Sequence, residues 1–199
     1  MDNKFERLVE IFREFPGIGP RQARRFAYFV ISKPSGFSDE ISSLLKEVKR
    51  DISQCPVCLK YTTKKNGGIC EICSDDTREG SIMVVAKDTD LQTVEKSGVF
   101  KGKYFVLGGL LSILEREPEK KIRINQLRER IKKGIKEGTK EVILALNATA
   151  EGENTAEYLK SALKEFDINI SELGRGISTG TEIEYLDKET LQGALKNKK

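Results

Sequence analysis

CPVCLKYTTKKNGGICEIC, residues 55 to 73, holds every cysteine of the chain and divides it into two differently patterned parts. Cys55 and Cys58 form one Cys-x-x-Cys pair and Cys70 and Cys73 the other, with eleven residues between the pairs. A Cys-x-x-Cys turn aims two sulfurs at one centre. Two such turns facing each other supply the tetrahedral thiolate cage that Zn2+ prefers. Disulfides would require a secreted chain, and the first residues carry no apolar signal core. A redox dithiol would need a lowered thiol pKa and a thioredoxin-like setting, and nothing around the four cysteines suggests either. With no histidine in the sequence, the expected role of the metal is structural.

Upstream, residues 1–54 repeat apolar side chains at helical spacing: Phe5, Leu8, Val9 and Phe12; Ala23, Phe26, Ala27 and Val30; Ile41, Leu44, Leu45, Val48 and Ile52. Three amphipathic helices are predicted. Between the first two lies Phe15-Pro16-Gly17-Ile18-Gly19-Pro20-Arg21, short enough only for a tight hairpin. Gly17 and Gly19 permit backbone conformations that other residues resist, and Pro20 suits the first turn of a helix. The free N–H groups of such a turn, beside a helix N-terminus, form a seat for a phosphate oxygen. Arg21, Arg24 and Arg25 add positive charge where a phosphate backbone would run. The competing reading is an ordinary helical hairpin with solvated arginines; the glycine spacing and the arginine cluster favour DNA. The stretch resembles the helix-hairpin-helix motif of proteins that bind DNA without reading sequence, through contacts that position rather than specify.

Downstream the pattern alternates. Short apolar runs at 82–86, 104–107, 142–146 and 168–170 read as strands, and the segments around 91–96, 124–136 and 155–166 read as helices. That order predicts a mainly parallel sheet covered by helices, with any site at the carboxyl ends of its strands. This part is similar to Toprim domains, in which a Glu after the first strand and an Asp-x-Asp pair after the third bind magnesium. The matching positions here are Ala86, Asn147 and Thr149, none of which supplies an anionic oxygen to a hard cation. A shifted alignment that brought in Asp88, Asp90 or Glu151 would restore a magnesium-dependent nuclease or topoisomerase-like enzyme, which is the alternative reading. Glu151 and Glu153 are also candidates for contact with a basic protein partner. Residues 119–140 carry nine Lys or Arg against three Glu, either as a solvated helix face or as a wall facing DNA.

The net charge of +4 over 199 residues gives only a mild preference for anionic partners, and no apolar run approaches the ~20 residues of a membrane span. The expected fold is a multidomain α+β chain. It comprises a helix-hairpin-helix region (1–54), a four-cysteine zinc finger (55–80), a Toprim-like α/β domain (81–176) and a C-terminal oligomerisation segment (177–199).

The hairpin, the paired knuckles, the runs YFVLGGL (104–110) and NATAEGE (147–153) and the late GRGISTGTEIEY (174–185) follow in this order over nearly the whole chain. Together they resemble the RecR family of bacterial recombination mediators. The resemblance implies a non-catalytic DNA-repair protein of the bacterial cytosol and nucleoid. Such a protein forms a ring, typically a homotetramer, and acts with RecO and RecF to load recombinase on gapped DNA. It also places the family's DNA-binding pair on Arg21 and Arg25. The chain departs from the family after Ser112, where Ile113-Leu114-Glu115-Arg116-Glu117-Pro118 replaces the usual proline and glycine-bearing loop. It contains no Gly-x-x-x-x-Gly-Lys-Ser/Thr phosphate loop, so no ATPase is expected. A zinc-ribbon interaction protein without DNA contact is a third reading, opposed by Gly17, Gly19 and Arg21.

Overall fold

The computed structural model describes residues 3–78 and 80–198, with the side chains of all of these except 65 and 66. The chain divides into two compact units, Met1–Ile52 and Ser53–Lys199.

The first unit holds helices α1 (Asn3–Arg13), α2 (Pro20–Ser32) and α3 (Ser35–Asp51). Val9 of α1 is buried against Ala23 and Ala27 of α2, with Phe5, Leu8, Phe12 and Ile18 around them. Two alanines four residues apart leave one face of α2 flat, which lets α1 approach closely. Pro34, in extended conformation, separates α2 from α3, and Phe29 and Phe37 meet edge to face at 6.0 Å across that break. The third helix forms as predicted, but none of its residues is buried, and Leu44, Leu45 and Val48 are at least half exposed. Ile52, read as the last apolar position of that helix, instead opens strand β1 (Ile52–Gln54).

Strand β1, which begins at the last residue of the first unit, pairs with β2 (Tyr61–Thr63) of the second and precedes a single helical turn, α4 (Glu71–Ser74). The parallel sheet follows: β3 (Ser81–Val85), β4 (Lys103–Val106), β5 (Glu141–Ala145) and β6 (Asn169–Glu172), in the spatial order β4-β3-β5-β6. Its connections carry α5 (Asp88–Ser97), α6 (Pro118–Lys121), α7 (Ile124–Lys136) and α8 (Ala150–Ala162), and α9 (Lys188–Lys196) lies near the C-terminus.

Side chains alternate between the faces of a strand, so each strand feeds two cores. On one face Ile82, Val84, Phe105, Leu107, Val142 and Leu144 pack with Leu127 and Ile131 of α7 and Leu159 of α8. On the other, Met83, Val85, Tyr104 and Val106 pack with Leu91 of α5 and with Cys55, Cys58, Cys70 and Ile72. The cysteine module is therefore built into the core of the sheet domain, where it covers part of one face. The backbone continues this attachment. Val106 N–H donates to the Cys58 carbonyl at 2.8 Å, and Tyr61 N–H donates to Asp88 Oδ1 at 2.8 Å.

Candidate metal centre and nucleic-acid interface

The four Sγ atoms lie within 4.8 Å of one another, and Cys58 Sγ and Cys70 Sγ are 3.6 Å apart. Four thiolates ~2.3 Å from one tetrahedral metal would stand roughly 3.8 Å apart, so the cluster has the dimensions of a metal cage. Each pair reaches this geometry through a local turn. Leu59, with φ of +61°, sits in the left-handed region, and its N–H closes the first turn on the Cys55 carbonyl at 2.9 Å. In the second turn Cys73 N–H reaches the Cys70 carbonyl at 3.1 Å. Hydrogen bonding from Cys58 drives the Cys70 thiol pKa well down, while the same contact drives that of Cys58 up. Lys60, mostly buried and paired with Glu71, sets a positive charge beside the cage.

In the helical unit, Phe15, Pro16, Gly17 and Ile18 form a tight turn closed by Ile18 N–H on the Phe15 carbonyl at 3.1 Å. Gly17, at its third position, has φ of +76°, the value that a proline-glycine turn demands there. Gly19 is the N-cap of α2 and Pro20 follows at its first turn, with no side chain capping the helix. The first N–H groups of α2 thus point outward without intrahelical partners, beside the positive end of the helix dipole. The three arginines differ. Arg21 is exposed and makes no hydrogen bond or ion pair among the described residues. Arg25 is also exposed, with one Nη1 bond to Gln22 at 3.3 Å. Arg24 is bound to Glu6 by two bonds of 3.0 and 2.9 Å and lies over the Phe5 ring at 5.6 Å. Its guanidinium helps hold α1 to α2.

At the carboxyl ends of the strands, Ala86 is buried behind β3. Asp88 and Asp90 have structural duties. Asp88 accepts from Tyr61 N–H, and Asp90 Oδ2 accepts from Lys87 N–H at 2.9 Å, capping α5. Thr149 caps α8 by accepting from Gly152 N–H at 3.2 Å. Glu151 is exposed on the first turn of α8, while Glu153 is paired with Arg175 at 2.7 Å. The loop after β4 is tied down from α8: buried Thr155 Oγ1 accepts from Leu111 N–H at 2.8 Å, and Asn154 donates to the Leu111 and Ser112 carbonyls. Among the described residues, the four cysteines are the one cluster of three or more Cys, Asp or Glu side chains spaced to hold a metal. The structural roles of Asp88, Arg24 and Thr155 are not visible in the sequence. All three depend on which distant segments meet, and none carries a local sequence signal.

Fold and site define a Toprim-type α/β protein that carries a four-cysteine knuckle in its core and a separate helical hairpin unit. The Toprim domain model matches residues 80–174, the model for the RecR helix-hairpin-helix matches residues 5–49, and the RecR C-terminal model matches residues 176–199. Proteins named Recombination protein RecR align over almost the whole chain. The one from Cereibacter sphaeroides is 38% identical over 192 residues, covering 96% of this chain and 94% of its own length. The one from Bdellovibrio bacteriovorus is 36% identical over 198 residues, covering 97% and 95%. The chain belongs to the RecR family.

Proposed function

We propose that this chain is a non-catalytic, DNA-binding recombination mediator in DNA repair. The observation that carries the reading is the Phe15–Ile18 turn running into an uncapped α2, with Arg21 unpaired and Arg25 exposed beside it. Such a surface binds phosphates regardless of sequence. Gly17 and Gly19 shape it, Arg21 and Arg25 supply its charge, and Arg24 stabilises it through Glu6. Zn2+ on Cys55, Cys58, Cys70 and Cys73 holds the knuckle, and with it one face of the sheet, in shape. Chemistry at the strand ends is opposed by Ala86, Asn147 and Thr149, which offer no carboxylate, and by the structural duties of Asp88, bonded to Tyr61 N–H, and Asp90, which caps α5.

The remaining parts of the proposal rest on family membership together with exposed surface. Assembly into a ring, typically tetrameric, is supported by the apolar stripe of Leu44, Leu45 and Val48, which nothing in its own chain covers among the described residues. Action with RecO and RecF on gapped DNA follows from the family. Glu151 is the acidic residue best placed to meet a basic partner, since Glu153 is already paired with Arg175. No helix is long and apolar enough to cross a membrane, and we assign the protein to the cytosol and nucleoid of a bacterium.

The test is a salt series of binding to labelled gapped duplex with magnesium present, scoring retention and strand integrity together. The wild type should bind with strong salt dependence and leave strands intact. Arg21→Ala with Arg25→Ala should weaken binding to all sequences alike and lower the salt slope by roughly one per lost phosphate contact. An unchanged slope, or cut strands, would overturn the reading.

A further inference from the structure

Buried cations are normally paired, because burying an uncompensated charge is costly. Arg78 obeys this rule, bound to Asp75, Glu95 and the Gly102 carbonyl, and the half-buried Arg123 gives donors to the carbonyls of Leu59 and Val106. Arg130, on α7, is matched more sparsely. Its side chain is only 5% exposed, its carboxylate contact is Glu137 at 3.5 Å, and its Nε has no partner among the described residues. A guanidinium has five donors, and here one makes a bond at the limit of hydrogen-bond length.

Arg130 lies on the wall of a cavity of about 530 Å³ at the amino end of the sheet, where β3 begins at Ser81 and β4 at Lys103. This is the end opposite Ala86 and Asn147, away from the place where Toprim chemistry would occur. Lys103 and Lys133 also line it, with Thr139 and Ser81 contributing hydroxyls. Gly134 is closely packed on this side: a Cβ there would lie 2.8 Å from Thr139 Oγ1, 3.1 Å from Ile82 Cδ1 and 3.3 Å from Arg130 Nη1, so the Thr139 hydroxyl and the Arg130 guanidinium stand near each other over the glycine. Lys133 and Arg130 share one carboxylate, Glu137, at 3.7 and 3.5 Å, and Lys103 makes no ion pair among the described residues. Among the described residues Asp76 is the other acid on the wall, so of these the three cations outnumber the facing carboxylates. Arg78 is already neutralised by its own partners. Cys73 closes one side, and a metal-filled four-thiolate cage would carry a formal charge of −2 that opposes an anion, so the metal-loaded protein is the proper sample.

We propose that this cavity binds a phosphate group, with Arg130 and Lys133 as its principal ligands and Lys103 and Thr139 completing the donor set. The site is separate from the hairpin. A phosphate brings several acceptor oxygens and a dianionic charge, which meets the unmatched donors of Arg130 and relieves the burial of its charge. The group comes either from a small molecule or from a DNA strand.

The test is calorimetric titration of the metal-loaded full chain with inorganic phosphate, at constant ionic strength, alongside thermal melting. Wild type should bind saturably, and its Tm should rise by roughly 3–6 °C at ten times Kd. Arg130→Met should fold and lose the response. Lys133→Gln, at an exposed position that does not threaten folding, should weaken binding about tenfold. Deoxyadenosine monophosphate binding more tightly than phosphate would assign the site to free nucleotides. Loss of duplex affinity in Lys133→Gln, with phosphate competing, would assign it to DNA. No saturable response in wild type, or an equal one in Lys133→Gln, would overturn the proposal. DNA binding through Arg21 and Arg25 stands or falls independently of this result.

Discussion

Replacing Gly152 by alanine should destabilise the sheet domain, although alanine is the better helix former. Gly152 lies in the first turn of α8, directly over the end of β5, and a Cβ built on it would stand 1.9 Å from the Asn147 carbonyl oxygen and 3.0 Å from its carbon. A close carbon–oxygen contact is ~3.3 Å, so roughly 1.4 Å must be recovered by moving backbone. Overpacking costs about 1–3 kcal/mol when side chains can yield. A backbone carbonyl has no rotamer to escape into, which places this case near 3 kcal/mol. Helix propensity returns about 1 kcal/mol to alanine, leaving a net loss of about 2 kcal/mol, or ~4–8 °C in Tm for a chain of this size. The assay is thermal and urea unfolding of the metal-loaded protein by circular dichroism, with an unchanged urea slope as the sign that stability alone has moved. A variant as stable as wild type, or more so, would refute the steric argument and leave propensity as the controlling factor.

Gly36, in the first turn of α3, has nothing within 4 Å of a built Cβ, so Gly36→Ala should leave stability unchanged or raise it by up to ~1 kcal/mol, read in the same melt. Chelation should unfold Ser53–Lys199 and leave the α1–α2 hairpin helical, because Cys55, Cys58 and Cys70 are part of the sheet domain's core; a single coincident loss of both would count against separate units. Arg78 holds the Glu95 carboxylate below its ordinary pKa of 4.5, so the pair stabilises the fold above that pH and the contribution is lost as pH falls through the lowered value. Glu95→Gln should accordingly flatten the loss of urea midpoint between pH 5 and pH 3, and an equally steep loss in both proteins would exclude this origin.

Much of the fold was legible because its signals are local. The apolar spacing of Ile124, Leu127 and Ile131 gave α7 with both ends correct, and the four strands were placed to within a residue or two. The start of α8 was read five residues late, since Thr149 begins the helix by capping it rather than by an apolar contact. Strands β1 and β2 are only three residues each, too short for alternation to register, and α9 has no buried residue to betray it. The stripe on α3 was visible, but its periodicity could not say whether its partner lay in the same chain. At the sites, the cysteine cage and the hairpin turn were readable from spacing. The capture of Arg24 by Glu6 and the burial of Arg130 were not, because both depend on which elements meet in space.

The junction between Cys58 and Val106 has a consequence for solubility. Strand β4 is the last in its sheet, and the outward backbone groups of Val106 are occupied, the N–H by the Cys58 carbonyl and the carbonyl by Arg123. An open strand border invites pairing with another molecule. At Val106 the cysteine knuckle thus shields this border, and a metal held by its thiolates would keep that shield in place. A chain stripped of such a metal would free the Val106 N–H on an edge strand, so metal shortage would favour the addition of identical chains strand to strand.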